Sequence, residues 1–207
     1  MGLTDLAGLA AVVSSLLFVW PQVVRLVRTR DPQGISPIGA LWAMGGFTLW
    51  TAYGLDRHLY PIVVANGQAL VGFAIVLGLR LRWGDPTGAF RTFAAPAAGM
   101  VLLVGATASS TVVGIAAISI GATSFLPQAF VAWRAPDVAG VSAATYILLT
   151  VSASLWIVYG LLRRDPLVVA PNLLIVPTAA VIAVRATRAQ AQAPPDPEQT
   201  TSASNWS

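Results

Sequence analysis

The chain has 207 residues, of which 56% are hydrophobic and only 10% are charged, with a formal net charge of +4. A soluble domain carries about 25% charged residues, so this composition excludes an ordinary water-facing surface and predicts an integral membrane protein. The arginines stand at the ends of apolar segments and not on one soluble face, so the basic balance does not indicate nucleic-acid binding.

Seven apolar segments are long enough to cross a bilayer as helices, which takes about 20 residues. In chain order they cover residues 5–27, 37–55, 60–79, 92–109, 111–133, 142–162 and 167–184. The first lacks the basic start and cleavage site of a signal peptide, so we expect it to be retained. The uncharged stretch 92–133 is too long for one span, and Ser109-Ser110-Thr111 is the predicted turn within it. From residue 187 the chain becomes polar, and we expect a disordered tail.

The arginines predict the orientation of these spans, because cytoplasmic loops carry an excess of basic residues. One side holds nine: Arg25, Arg28, Arg30, Arg80, Arg82, Arg91, Arg134, Arg185 and Arg188. The other side holds three: Arg57, Arg163 and Arg164. The first set is predicted to be cytoplasmic, which puts the N-terminus outside the cell membrane and the C-terminus inside.

An internal repeat relates the two halves of the chain at an offset of 106 residues without a gap. The matches include residue types that chance rarely repeats in apolar sequence. They are Pro21-Gln22 with Pro127-Gln128, Arg28 with Arg134, Leu49-Trp50 with Leu155-Trp156, Tyr53-Gly54-Leu55 with Tyr159-Gly160-Leu161, and Asn66 with Asn172.

Each repeat holds three spans, and one extra span between them restores a parallel orientation. The predicted fold is therefore an all-α membrane protein of seven helices in a 3+1+3 arrangement. Its units are a first repeat at 5–82, a linker helix at 83–110, a second repeat at 111–186 and the tail at 187–207. Parallel repeats of this kind form one known transporter plan, with a site between the halves near mid-membrane.

The doubled Pro-Gln motif, the 3+1+3 plan and the W-x-x-Y-G…N pattern resemble the SWEET sugar transporters of the PQ-loop superfamily. Each half is similar to a SemiSWEET, a three-span unit that works as a dimer. The resemblance implies a sugar transporter whose pocket lies between the halves.

Four side chains are predicted to form the substrate site. Trp50 and Asn66 lie at the same depth in neighbouring antiparallel spans, and the repeat puts Trp156 and Asn172 at that depth too. An indole face stacks on the apolar face of a sugar ring, and an amide serves its hydroxyl groups as donor and acceptor. The alternatives for single residues are an interfacial anchor for tryptophan and a helix–helix contact for asparagine. The resemblance implies the sugar-binding role for all four.

The prolines predict hinges at the cytoplasmic side. Pro21 and Pro127 each remove a backbone hydrogen bond inside a span, and Gln22 and Gln128 complete the two Pro-Gln motifs. By the resemblance, Pro37 is a third hinge, whereas Ala143 occupies the fourth position. Static kinks are the alternative.

Tyrosines and charges at the opposite end predict an outer gate. Tyr53 and Arg57 are one helical turn apart, as are Tyr159 and Arg163. Acids stand nearby in both halves, Asp56 in one and Asp165 in the other, but Leu59 stands where Asp165 predicts an acid. The grouping resembles the outer gate of SemiSWEETs, and its alternative is an exposed ion pair beside an aromatic belt.

The spans contain no Asp, Glu, Lys or Arg well inside, and proton-coupled carriers usually need such a group. This favours facilitated diffusion of a neutral mono- or disaccharide. Two alternatives remain open: a PQ-loop amino-acid transporter, and a seven-helix receptor or sorting protein that does not transport. An enzyme is not expected, since His58 is a solvated loop residue and no catalytic cluster, metal set or cofactor motif occurs. One chain holds both halves and is expected to work as a monomer, with self-association left open.

Overall fold

The computed structural model describes residues 2–31, 35–83, 88–134 and 143–192. Seven α-helices cover almost all of these ranges. They are α1 (Leu3–Thr29), α2 (Pro37–Asp56), α3 (Tyr60–Trp83), α4 (Gly88–Thr107), α5 (Ser110–Arg134), α6 (Ala143–Leu162) and α7 (Pro166–Gln192). The predicted all-α class and the seven helices are confirmed.

Several helices extend beyond the apolar spans that predicted them. An apolar span marks only the part of a helix inside the hydrocarbon layer, and backbone hydrogen bonding continues past it. α7 runs to Gln192, so the predicted start of the tail at residue 187 was too early. The reason is local, because the segment 186–192 consists mostly of alanine, glutamine and arginine, which favour helix. Residues 193–207 lie outside the described ranges.

Within the part of the chain that the structure describes, four helices meet the length and hydropathy expected of membrane spans. They are α1, α3, α6 and α7. Shorter apolar stretches, Ala94–Thr107 and Ser110–Thr123, lie in α4 and α5. This pattern indicates a membrane protein with several crossing helices.

Six helices form a closed ring in the order α1, α3, α2, α5, α7, α6, with α6 returning to α1. In each half the third helix in sequence lies between the first two, so α3 separates α1 from α2, and α7 separates α5 from α6. The halves meet at two places, α1 against α6 and α2 against α5. The fourth helix lies outside the ring against α2, beside an apolar crevice of about 820 Å³.

The two halves also repeat in backbone conformation. His58 and Arg164, which stand 106 residues apart, both have φ 53° in the tight connections after α2 and α6. We call the end of the bundle that carries these connections the tyrosine end, because Tyr53 and Tyr159 lie beside them. The opposite end, where the two Pro-Gln motifs lie, is the Pro-Gln end.

At the tyrosine end each half lies closely on the other through a tyrosine and a glycine. A methyl group added at Gly8 would lie 3.1 Å from the Tyr159 ring, and one added at Gly114 would lie 3.1 Å from the Tyr53 ring. Both tyrosines are buried, with 2% of each exposed. Because glycine has no Cβ, each ring packs directly on the backbone of the other half.

We predict that Gly72→Ala destabilises the first half, whereas Gly78→Ala on the same helix does not. A methyl group at Gly72 would lie 2.5 Å from a Val19 methyl carbon, and one at Gly78 meets nothing within 4 Å. Both changes gain the same helix propensity, so the difference between them reports the clash, about 1–3 kcal/mol. Thermal unfolding of the two variants in detergent measures this difference. Equal melting temperatures would contradict the close contact of α1 and α3.

Candidate functional site

A cavity of about 360 Å³ lies between the two halves, and all four residues predicted for the substrate site line it. Trp50 comes from α2, Asn66 from α3, Trp156 from α6 and Asn172 from α7. The repeat at one offset therefore predicted which side chains share one cavity. The remaining wall is apolar, and no charged side chain is among the lining residues. Within the described ranges, no three His, Cys, Asp or Glu side chains come together as a metal site requires.

The two asparagines make the same contact in each half. Asn66 donates its amide N–H to the Ile62 carbonyl at 2.9 Å, and Asn172 donates to the Val168 carbonyl at 2.8 Å. Each side chain is thus fixed against its own helix by one of its two amide hydrogens. The amide oxygen and the second hydrogen of each are left for a ligand.

Two aromatic pairs lie between the cavity and the tyrosine end. The Trp50 and Tyr53 rings meet edge to face with centroids 5.6 Å apart, and those of Trp156 and Tyr159 do so at 5.7 Å. Both tryptophans pack against a buried cluster that includes both tyrosines and Leu59. This cluster draws on both halves and separates the cavity from the tyrosine end.

A hydrogen bond from Tyr53 of this cluster joins the two halves. The Tyr53 hydroxyl donates to the Asp165 carboxylate, whose oxygens lie 2.6 and 2.8 Å away. Asp165 is 4% exposed and also accepts from the backbone N–H groups of Leu167 and Val168. It thereby caps α7, which begins at Pro166, the residue type preferred at the first helical position. The same carboxylate thus caps one half and binds the other.

The first half has no counterpart of this bond, because Leu59 stands where Asp165 stands in the second half. The Tyr159 hydroxyl makes no hydrogen bond to a described residue, and its charged neighbours are Arg163, Asp165 and Asp5. Asp56, Arg57 and Arg163 are exposed, and Arg57 interacts with the Tyr53 hydroxyl. Of the six residues predicted for an outer gate, Tyr53 and Asp165 are therefore the pair in direct contact across the halves.

The Pro-Gln end differs from the tyrosine end in its buried contacts. Its described buried cluster consists of Val23, Leu26 and Val76, all from the first half. α1 passes through Pro21 without a break, with Pro21 exposed and Gln22 half-buried. Next to them, Trp20 donates its indole N–H to the Gln68 side chain at 2.8 Å.

The other residues predicted as hinges have different positions. Pro37 is buried at the first position of α2, after the N-cap Ser36. A proline there costs no helical hydrogen bond, so it does not create the weak point that Pro21 creates. The side chains of Pro127 and Gln128, on α5, lie outside the described part of the structure.

The cavity wall comes mostly from the second half, which sequence reasoning did not predict. Among the described residues, the first half contributes three: Trp50, Ile62 and Asn66. The second contributes eleven: Ala117, Ile118, Gly121, Ala122, Trp156, Val168, Ala170, Pro171, Asn172, Leu174 and Ile175. Pro171 in particular was missed, although its lack of a counterpart at the offset of 106, where Ala65 stands, is visible in the sequence.

The two contacts between the halves also differ near the cavity. Ser14 and Ser152 share a buried hydrogen bond of 2.9 Å between α1 and α6. At the equivalent place between α2 and α5, Ile120 packs on Gly46, where an added methyl group would lie 3.1 Å from it. At this matched pair of positions one contact is polar and the other apolar, so the two halves are not interchangeable there. Elsewhere, α2 and α5 also share a hydrogen bond from the Trp42 indole N–H to the Thr123 hydroxyl at 3.1 Å.

Comparisons with known proteins agree with this architecture. A family model described as "Sugar efflux transporter for intercellular exchange" matches residues 111–184. The sugar transporter SemiSWEET of Leptospira biflexa is 32% identical over 83 residues, which are 40% of this chain and 98% of that protein. The SemiSWEET of Escherichia coli is 33% identical over 76 residues, which are 37% of this chain and 85% of that protein.

The chain belongs to the SWEET family. A solved eukaryotic SWEET transporter shares the fold, with a TM-score of 0.75, 18% identity and coverage of 91% of this chain and 97% of that one. The bacterial SemiSWEETs are each matched over less than half of this chain, whereas the eukaryotic structure matches nearly all of it.

For this SWEET protein we predict that Tyr53→Phe is destabilising and that Tyr159→Phe is much less so. Loss of the Tyr53 hydroxyl removes a hydrogen bond to a buried carboxylate, at a cost of about 1.5–3 kcal/mol, while the Tyr159 hydroxyl has no such partner. Unfolding in mixed detergents containing sodium dodecyl sulfate measures both free energies. A double-mutant cycle with Asp165→Asn isolates the pair, and additive effects would contradict a direct Tyr53–Asp165 interaction.

Proposed function

We propose that this SWEET protein carries a neutral sugar across the cell membrane by facilitated diffusion. The observation that carries the proposal is the pair of Trp–Asn sets on one cavity between the two halves. The matched relatives bear the name sugar transporter, which favours a sugar over the other cargoes of PQ-loop proteins. The cavity volume is at the small end of the 300–1,000 Å³ that is usual for small-molecule sites, and this favours a monosaccharide.

In the proposed complex the sugar lies between the two tryptophans. Its C–H faces stack on the indole rings of Trp50 and Trp156, and its hydroxyl rim meets Asn66 and Asn172. Each asparagine already uses one N–H on its own helix, so its side chain is held in place before the sugar arrives. Pre-organisation of this kind reduces the entropy lost on binding.

The proposed transport cycle alternates access between the two ends. The arginine distribution puts the tyrosine end outside, and the contacts above the cavity support a closed outer end in this state. Opening the outer end requires the Tyr53–Asp165 bond to break. We propose that the two three-helix repeats, at 5–82 and 111–186, move against each other, with bending at Pro21 and Pro127 opening the inner end.

The polarity of the cavity supports a neutral cargo and no coupling ion. Its described lining contains no charged side chain, so a charged amino acid would meet no counter-charge. Asp165 is buried, but it lies at the start of α7 with three hydrogen-bond donors around it. Asp165 is also not among the residues that line the cavity, so it offers a cargo no counter-charge there.

We predict that the double variant Asn66→Ala plus Asn172→Ala loses sugar uptake into proteoliposomes. Removing both amides takes away hydrogen bonds worth about 0.5–1.5 kcal/mol each, so the KM should rise roughly tenfold or more. Gln68→Leu is the matched control, because Gln68 is an amide on α3 that binds Trp20 and is not on the cavity wall. It should change stability but leave the KM near the native value.

Two outcomes would contradict the proposal. Native folded protein that moves no mono- or disaccharide would exclude sugar transport, and amino-acid flux or ligand binding without flux would then decide between the alternatives. Sugar flux that the asparagine variant leaves unchanged would exclude the cavity as the site.

A second prediction concerns the driving force. Imposing a pH gradient across the proteoliposome membrane should change neither the initial rate nor the final level of sugar uptake, because no titratable group is among the described residues that line the cavity. Efflux from preloaded vesicles should match uptake at equal gradients. Accumulation of sugar above the outside concentration when protons flow inward would contradict uniport.

A further inference from the structure

The apolar crevice of about 820 Å³ beside α4 is larger than the cavity between the halves, and the proposed transport cycle does not use it. Its walls come from α2, α4 and α5, with Leu70 added by α3. Among the described residues, α4 packs closely on α2 and on no other helix. The crevice is therefore the space that α4 leaves open toward α5.

Short side chains on α4 leave this space unfilled. Ala94, Ala97, Ala98 and Val101 all line the crevice. Their spacing of three and four residues places them on one face of the helix. Ala95 is exposed and is not among the lining residues, so it belongs to another face. The face of α4 toward α5 is thus too small to close the gap by itself.

The polar side chains of the described wall are already hydrogen-bonded within the protein. Trp42 donates its indole N–H to the Thr123 hydroxyl at 3.1 Å, and Thr123 donates to a backbone carbonyl of its own helix. The Thr48 and Ser119 hydroxyls also donate to carbonyls of their own helices, at 2.8 and 2.9 Å. The wall therefore offers no free side-chain donor to a polar ligand, and cavities with apolar walls stay free of water. An apolar molecule fits this wall.

The length of the crevice matches one lipid chain. On α4 it extends from Phe90 to Val104, which is about 21 Å at 1.5 Å per residue. One leaflet has a hydrocarbon depth of about 15 Å, half that of the bilayer core. The crevice therefore covers the depth of one acyl chain and reaches the headgroup region. Met100 and Leu102 on its wall are each 62% exposed, so it is open to the surrounding lipid.

A positive charge stands at one end of the crevice. Arg91 is exposed and follows Phe90, where the crevice begins at the Pro-Gln end. Arg91, Ala94 and Ala98 are at i, i+3 and i+7, so they share one face of α4. The guanidinium group of arginine binds phosphate oxygens with two parallel N–H bonds. The apolar wall and this arginine together match the two parts of a phospholipid.

We propose that the crevice binds one anionic membrane phospholipid, with an acyl chain between α4 and α5 and the phosphate at Arg91. An anionic headgroup is preferred because it leaves the arginine charge balanced, whereas a choline group adds a second positive charge. The C-terminal segment 193–207 of this chain is too polar to be the occupant. Because Trp42 and Thr123 both line the crevice and their hydrogen bond joins the halves, the lipid covers one of the two places where the halves meet.

Native mass spectrometry of the full chain in mild detergent tests the headgroup. Phosphatidylglycerol and phosphatidylcholine with identical acyl chains are added in turn. Native protein should retain one phosphatidylglycerol and bind it about fivefold more tightly than phosphatidylcholine. Arg91→Gln should remove this preference. Arg188→Gln is the matched control, because it changes an exposed arginine on α7, which does not line the crevice, and it should keep the preference.

A second pair of variants tests the apolar part of the site. Ala98→Phe fills the crevice and should abolish retention of both lipids, whereas Ala95→Phe makes the same change on another face and should retain them. Equal retention by Ala98→Phe and native protein, or no preference for phosphatidylglycerol in native protein, would overturn the inference. A native dimer that Ala98→Phe separates would identify a second copy of the chain as the occupant and would overturn it as well.

Native protein alone decides the question if Ala98→Phe does not fold. A phosphatidylglycerol with a photoreactive group on one acyl chain is crosslinked to the protein in vesicles, and the adducts are located by peptide mass spectrometry. They should concentrate on the crevice walls of α4 and α5. Adducts spread evenly over the exposed faces of all seven helices would show that the lipid has no fixed place and that the inference is wrong.

Discussion

Two contacts between a tyrosine ring and a glycine backbone determine how the halves of this protein meet. Tyr53 lies on Gly114 and Tyr159 on Gly8, and a methyl group added at either glycine would lie 3.1 Å from the facing ring. These contacts hold α2 against α5 and α6 against α1 at the tyrosine end. The tryptophans one turn below pack under the tyrosines, and the cavity is the space that remains beneath them. The position, depth and closure of the site all depend on this close approach.

The internal repeat places matched residues around the cavity, and the positions where the halves differ make its two sides unlike. Residues that match at the offset of 106 line the cavity from both halves, as the two Trp–Asn sets do. The differences concentrate on the second half, which supplies Asp165 at the tyrosine end and Pro171 on the wall, against Leu59 and Ala65 in the first. A dimer of identical chains repeats every substitution on both sides. In one chain the two halves can differ. Here Asp165 alone binds across the halves at the tyrosine end, and Pro171 alone places a proline on the cavity wall.

The sequence predicted the helices from local composition, and it predicted that the four central side chains share one depth from the internal repeat. Apolar length predicts a span, and a fixed offset of 106 places matched residues at matched depth. It did not predict the spatial order, in which α3 lies between α1 and α2, since apolar helices carry no sign of which neighbour they contact. Nor did it predict that Tyr53 donates to Asp165, because that bond crosses between halves that are far apart in sequence. The end of α7 was missed because composition marks the membrane boundary and not the last helical hydrogen bond.

The attachment of α4 limits the separation of the two halves more at one end of the molecule than at the other. This helix packs on α2 and leads into α5 through Ala108 and Ser109 alone, so the chain between Thr107 and Ser110 reaches about 11 Å when fully extended. This short connection ties the end of α4 to the start of α5 at the tyrosine end, where α4 already packs on α2 of the first half. At the opposite end α4 follows α3 of the first half in sequence, and no connection of this length ties it to the second half there. The short connection therefore limits how far the two halves can separate at the tyrosine end, and it sets no such limit at the Pro-Gln end.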